Sequence, residues 1–106
     1  MFTVHTEYED YENCFFQVDE YANNDHVCVS LYSEEEGPIS PVTVNIQGIE
    51  RFPENYSCID TNNAPFLEDL IEELGIAAPA GIVLKSGWCT YPVYIFNKDK
   101  LSLLPG

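Results

Sequence analysis

Basic residues are almost missing from this chain. Its 106 residues include four Lys and Arg against eighteen Asp and Glu, a formal net charge of −14. No Lys or Arg occurs before Arg51, and the next is Lys85. This shortage opposes direct binding of nucleic acid, because phosphate contacts need Lys and Arg. It opposes anionic membrane on the same ground. No apolar run approaches the roughly 20 residues that span a bilayer. The start, Met1-Phe2-Thr3-Val4-His5, has neither the basic nor the apolar region of a signal peptide, so a cytoplasmic location is expected. The four cysteines, Cys14, Cys28, Cys58 and Cys89, contain no C-x-x-C pair. They are expected to be reduced and mostly buried. The Cys and His spacings fit no zinc pattern. Asp60-Thr61-Asn62 opens like a calcium loop but lacks the later Gly and Glu. No Gly-rich, Lys-bearing phosphate loop occurs. Neither a metal nor another cofactor is expected. His5 and His26 fall on expected strands with no nucleophile context nearby, so no catalytic residue is assigned.

What is present is enough apolar material for one domain over residues 1–106. The chain is 45% hydrophobic, with six Phe and seven Tyr, too apolar for a disordered acidic tail. Phe2-Thr3-Val4-His5-Thr6-Glu7-Tyr8, Cys14-Phe15-Phe16-Gln17-Val18, His26-Val27-Cys28-Val29-Ser30-Leu31-Tyr32 and Pro41-Val42-Thr43-Val44-Asn45-Ile46 alternate apolar with polar residues. Such a period of two marks half-buried antiparallel strands. Turn chemistry at residues 22–25 and 34–38 separates them, and the short spacing favours a meander.

The period then changes. Phe66, Leu67, Leu70, Ile71 and Leu74 recur at helical spacing. The spacing predicts a helix over 63–74, capped by Asn62 or Asn63, with Pro65 in its first turn and Gly75 ending it. Pro79-Ala80-Gly81 reads as a loop, Ile82-Val83-Leu84 as a short strand, and Ser86-Gly87-Trp88-Cys89 as a turn. Val93-Tyr94-Ile95-Phe96 reads as a strand, and Asn97 as the cap of a short helical turn over residues 98–103. The expected fold is α+β: an antiparallel, meander-like sheet of four to six strands with one amphipathic helix packed on one face.

Carboxylates cluster at two places whose side chains the core does not require. Glu34, Glu35 and Glu36 fill a loop, and Glu68, Asp69, Glu72 and Glu73 occupy the polar side of the helix. Glu7 and Glu9, two apart on an extended strand, would stand about 6.6 Å apart on one face. Phosphates along a nucleic-acid strand have a comparable separation, so such arrays can imitate a phosphate backbone. The bland counterpart is a solvated helix face that keeps the chain soluble. A second candidate surface is Ser86-Gly87-Trp88-Cys89-Thr90-Tyr91-Pro92-Val93-Tyr94, where Trp88 and Tyr91 serve either packing or contact with a partner.

The D-T-N-N segment at Asp60-Thr61-Asn62-Asn63, the acidic helix ending at Gly75 and the block from Ser86 to Phe96 together resemble a family of small bacterial proteins of unknown function. Its members carry D-T-N-N and S-G-[FWY]-x-x-Y-P-x-Y-x-F motifs. The likeness extends over about residues 12–101. This chain departs from it at Ala78-Pro79-Ala80-Gly81, where relatives have P-T-G before the strand. The resemblance implies a place on conjugative elements and prophages, often among anti-defence genes, and it carries over no catalytic residue.

Charge and resemblance together give the functional expectation. The partner is a basic protein surface, such as that of a CRISPR nuclease or restriction enzyme, held through Glu34, Glu35, Glu36, Glu68, Asp69, Glu72 and Glu73 in place of nucleic acid. The alternative is an accessory module that inhibits nothing and binds another protein through Trp88 and Tyr91. A small enzyme with a Cys or His nucleophile ranks last.

Overall fold

A computed structural model describes residues 2–103. The fold is α+β, and its strands divide between two antiparallel sheets of four rather than forming one sheet. The first sheet is the expected meander, in the order β1 (Phe2–His5), β2 (Asp10–Glu20), β3 (Val27–Ser33) and β4 (Gly37–Pro41). The second has the order β5-β6-β8-β7, built from β5 (Thr43–Val44), β6 (Tyr56–Ile59), β7 (Ala77–Ser86) and β8 (Cys89–Phe96). Two helices complete it, α1 (Leu67–Leu74) and α2 (Lys98–Leu103), with a 3₁₀ turn at Ile49–Arg51.

The chain passes between sheets at Val42, which interrupts the single strand expected over residues 41–46. Val42 is fully buried. Its N–H donates to Val29 of β3 at 2.9 Å, and its carbonyl accepts from Asp60, just past β6, at 2.9 Å. The first residues of β3 have no β4 partner, so their backbone groups turn to the other sheet. Ser57 Oγ donates to the Val27 carbonyl at 2.9 Å, and the Val29 N–H donates to Thr43 Oγ1 at 3.0 Å. Every buried polar side chain among the described residues has a partner or reaches solvent, as a stable interior requires.

The main core lies where the sheets and α1 meet. Val27, Val29 and Leu31 alternate inward along β3 and pack with Ile59, Leu67, Ile71, Tyr94 and Phe96. A smaller cluster of Ile46, Ile49, Cys58 and Val93 fills the opposite face of the second sheet. Leu67, Leu70 and Ile71 of α1 are buried as their spacing predicts, while Phe66 and Leu74 are half-buried at its ends.

Helix α1 begins later than expected, and neither Asn62 nor Asn63 caps it. The stretch before it is a set of turns. Asn63 Nδ2 donates to Asp60 Oδ2 at 2.9 Å, Ala64 N–H to the Asp60 carbonyl at 3.1 Å, and Leu67 N–H to the Ala64 carbonyl at 3.2 Å. Phe66 occupies the cap position with no side-chain bond. Gly75 ends the helix at φ 68°, the left-handed geometry that glycine adopts without strain. Asn97 caps α2 as expected, accepting from the Lys100 N–H at 3.1 Å.

Residues 79–81 are not a loop. They form an irregularity inside β7, where the pairing with β8 shifts between Pro79 and Val83 and Gly81 takes φ 76°. An edge strand tolerates both the proline and the bulge. The expected short strand at residues 82–84 is thus part of a long hairpin that reverses at Gly87-Trp88, between the paired Ser86 and Cys89. Gly87 has φ 60°, the sign that the first position of a two-residue II′ turn demands.

Candidate partner-binding surface

Antiparallel order brings two turns to the same end of the first sheet. One links β1 to β2 and the other links β3 to β4. The second is a three-residue tip closed by the Ser33–Gly37 pair, with Gly37 at φ 78°. Glu34, Glu35 and Glu36 are all exposed there. They are not equivalent. Asn13 Nδ2 donates to Glu35 Oε1 at 2.5 Å, and Ser33 Oγ donates to Glu35 Oε2 at 3.1 Å. The Asn13 bond, aided by the backbone and by Ser33, holds the Glu35 carboxyl below its usual range. Glu35 is therefore a brace of its own turn, whereas Glu34 and Glu36 have no such bond.

The β1–β2 turn adds further carboxylates at this end of the sheet. Glu7 and Glu9 stand in this turn and not along a strand, so the strand spacing does not apply to them. Thr6 N–H and Thr6 Oγ1 both donate to the Glu9 carbonyl, at 3.0 and 2.6 Å. Tyr11 Oη donates to Glu9 Oε1 at 2.6 Å. That bond to a carboxylate, with the charge of Glu36 also nearby, raises the Tyr11 pKa. Asp10 lies 3.0 Å from His5 Nδ1, with both side chains largely in solvent.

Helix α1 continues the acidic surface along β1. Asp69 and Glu73 line a small hollow with Thr3 and His5. Glu7, Glu9 and Tyr11 line another with Pro65 and Phe66. Asp69, Glu72 and Glu73 are exposed. Glu68 is half-buried, and its Oε2 accepts from Tyr94 Oη at 3.0 Å. Burial first, and then this bond, push the Tyr94 pKa well above its ordinary value. The structure thus brings Glu34, Glu36, Asp69 and Glu73 to an exposed acidic band through the β1–β2 turn, with Glu72 exposed on α1. It ties Glu35 and Glu68 into the fold.

Trp88 and Tyr91 part company in the hairpin. Trp88 is fully exposed at the tip. Tyr91 is half-buried and packs on the smaller core cluster. Between Glu73 and Asp99 no carboxylate occurs, so the hairpin adds none of its own to the acidic surface.

All four cysteines are free. Burial pushes the Cys58 thiol up to about 11 and raises that of Cys14, the opposite of an activated nucleophile. His26 is buried, with Nδ1 2.7 Å from the Tyr56 carbonyl. Among the described residues, no three His, Cys, Asp or Glu side chains are placed to hold a metal ion. No helix among them is long and apolar enough to cross a membrane.

The chain belongs to a family described as a domain of unknown function (DUF4313), whose model matches residues 15–105. No curated protein and no solved structure matches it.

Proposed function

We propose that this chain is a non-catalytic protein-binding module whose acidic band docks on a cationic protein surface. The observation that supports this most is the placing of carboxylates on the β3–β4 tip, the β1–β2 turn and α1, in a chain with eighteen acids and four Lys and Arg. Most of that charge has no ion-pair partner among the described residues. A field of this sign steers basic partners toward it and holds nucleic acid off.

Its finer form follows from the motif resemblance to proteins of conjugative elements and prophages. In that setting the cationic surface is the nucleic-acid channel of a cytoplasmic defence effector, a CRISPR nuclease or a restriction enzyme, and the band occupies it in place of phosphates. The alternative, an accessory module that binds another protein through the hairpin, is favoured by the full exposure of Trp88.

A panel of purified CRISPR nucleases and restriction enzymes, assayed with and without competing duplex, tests the proposal. Binding should compete with DNA and weaken steeply between about 50 and 200 mM salt. Reversal of Glu34, Glu36, Asp69 and Glu73 to Lys should slow association tenfold or more with the fold intact. Unchanged binding by that variant, with loss on Trp88→Ala, would replace the band by the hairpin.

A further inference from the structure

A second concavity lies away from the acidic band, beside the β2–β3 connection at the other end of the first sheet. It encloses about 1160 Å³ and opens to solvent, between the 3₁₀ turn, the segment before β6 and the start of α2. Glu50, Glu54 and Asp99 stand around it against Lys98, whose Nζ lies 4.0 Å from Glu20 Oε2. The excess of carboxylates would carry little by itself. The observation that gives it meaning is His26.

His26 is 2% exposed and lines this concavity. With Nδ1 2.7 Å from the Tyr56 carbonyl, the ring must carry its proton there, because a carbonyl only accepts. In the neutral ring Nε2 is then an acceptor, and it has no partner among the described residues. No buried side-chain nitrogen or oxygen of the described residues is left unpartnered. Nε2 therefore reaches solvent, and the solvent it reaches is that of the concavity. Asn55 adds a second fixed acceptor. Its Nδ2 donates to the Phe96 carbonyl at 3.3 Å, and its Oδ1 accepts no hydrogen bond from the described residues. Phe52 lines the wall, its ring stacked on Tyr56 at 5.7 Å and 8°.

The groups offered are thus acceptors, surrounded by negative charge and bordered by an aromatic ring. Lys98 is the cation in this lining, set against Glu20, and the carboxylates of Glu50, Glu54 and Asp99 outnumber it. A ligand with several N–H donors, positive charge and a planar face fits all three features, and guanidinium is that group. The site is too open to shut a small molecule away from water, but it suits a side chain that projects from a protein surface. We propose that this concavity seats an arginine side chain of the protein partner, with His26 Nε2 and Asn55 Oδ1 accepting its N–H groups. The proposal rests on the reading of the partner as cationic and adds to it a separate anchor of stated chemistry.

The test is an NMR titration of the ¹⁵N-labelled protein with the peptide acetyl-Gly-Arg-Gly-amide. The controls are its lysine form and its citrulline form, which keeps the shape of arginine without the charge. The arginine peptide should shift the amides of Phe52, Glu54, Asn55 and Asn97 saturably, the lysine form more weakly and the citrulline form hardly at all. Glu50→Gln with Glu54→Gln keeps an oxygen for the Gly48 N–H, which donates to Glu50 Oε2 at 2.8 Å, and should weaken binding at least fivefold. His26→Phe should weaken it at least threefold, provided its spectrum stays folded, and the Glu variant decides the matter if it does not. Shifts confined to α1 and the turns of the acidic band would overturn the arginine seat while leaving the cationic-partner reading standing. Equal response to arginine and citrulline, or no response near His26, would also overturn it.

Discussion

Two of the hairpin tips in this molecule, β3–β4 and β7–β8, are built in opposite ways. The β3–β4 tip carries three consecutive glutamates over a left-handed Gly37. The β7–β8 tip carries a bare indole beside Gly87 and lies in a stretch with no carboxylate at all. The first turn is braced by polar side chains, since Asn13 and Ser33 both bind Glu35. The second depends on glycine geometry and on Leu84 and Tyr91 packing below it. The β7–β8 hairpin is thus free of the carboxylates that the other hairpins carry. An approaching body meets consecutive carboxylates at the first tip and a bare indole at the second.

The sharpest way to break the comparison is to ask which exposed and buried parts the fold requires. Leu70 is 7% exposed and belongs to the main core. Leu70→Ala should cost about 2–5 kcal/mol in a urea melt, because the vacated volume is only partly refilled. Trp88→Ala should cost within about 0.5 kcal/mol, since nothing packs on a fully exposed ring. A Trp88 variant that loses as much as the Leu70 variant would show that the tip is part of the core's support and not a free surface.

The apolar face of α1 was legible because a 3.6-residue period survives whatever the helix packs against. The Gly75 stop and the Asn97 cap were legible for the same local reason. The division into two sheets was not. Alternation through residues 41–46 tells which side chains share a face and is silent about the sheet to which each strand belongs. Strand β6 went unread because Ser57, Cys58 and Ile59 are buried on both faces, which erases the alternation. Pro79 and Gly81 imitate a loop wherever an edge strand accommodates a bulge. At the candidate surface, the exposure of Glu34 and Asp69 followed from pattern alone, whereas that of Trp88 did not, because a ring in a turn suits packing as well as contact. The bracing of Glu35 and Glu68 did not, because Asn13 and Tyr94 are 22 and 26 residues away in sequence.

A smaller effect separates the bound acids from the free ones on α1. Tyr94 is 1% exposed and its hydroxyl donates to Glu68. Tyr94→Phe should cost about 1–2 kcal/mol, below the middle of the range for a hydrogen bond to a charged group because the half-buried acceptor can regain water. Glu72→Gln, at an exposed position, should change stability within about 0.5 kcal/mol. Chemical melts of the two variants measured together check the contrast. Equal costs would mean that the Tyr94–Glu68 bond adds nothing to the packing of the ring.

The smallest expected effect lies within the glutamate tip itself and appears in its response to pH. Asn13, the backbone and Ser33 favour the charged form of Glu35 and lower its pKa in the folded chain. A carboxyl with a depressed folded pKa stabilises the fold at every pH above its unfolded value, near 4.3 for glutamate. That contribution is lost as pH falls through the folded pKa, because the proton then binds both states. Wild type should therefore lose stability between neutral pH and about pH 3 more steeply than Glu35→Gln, which has no proton to gain there. Glu34→Gln, next to it but without the Asn13 and Ser33 bonds, should follow the wild-type curve. Urea midpoints for the three proteins across that range decide the matter. Superimposed acid limbs for wild type and Glu35→Gln would mean that the brace acts only through shape, and the three glutamates would then be equivalent members of one charged tip.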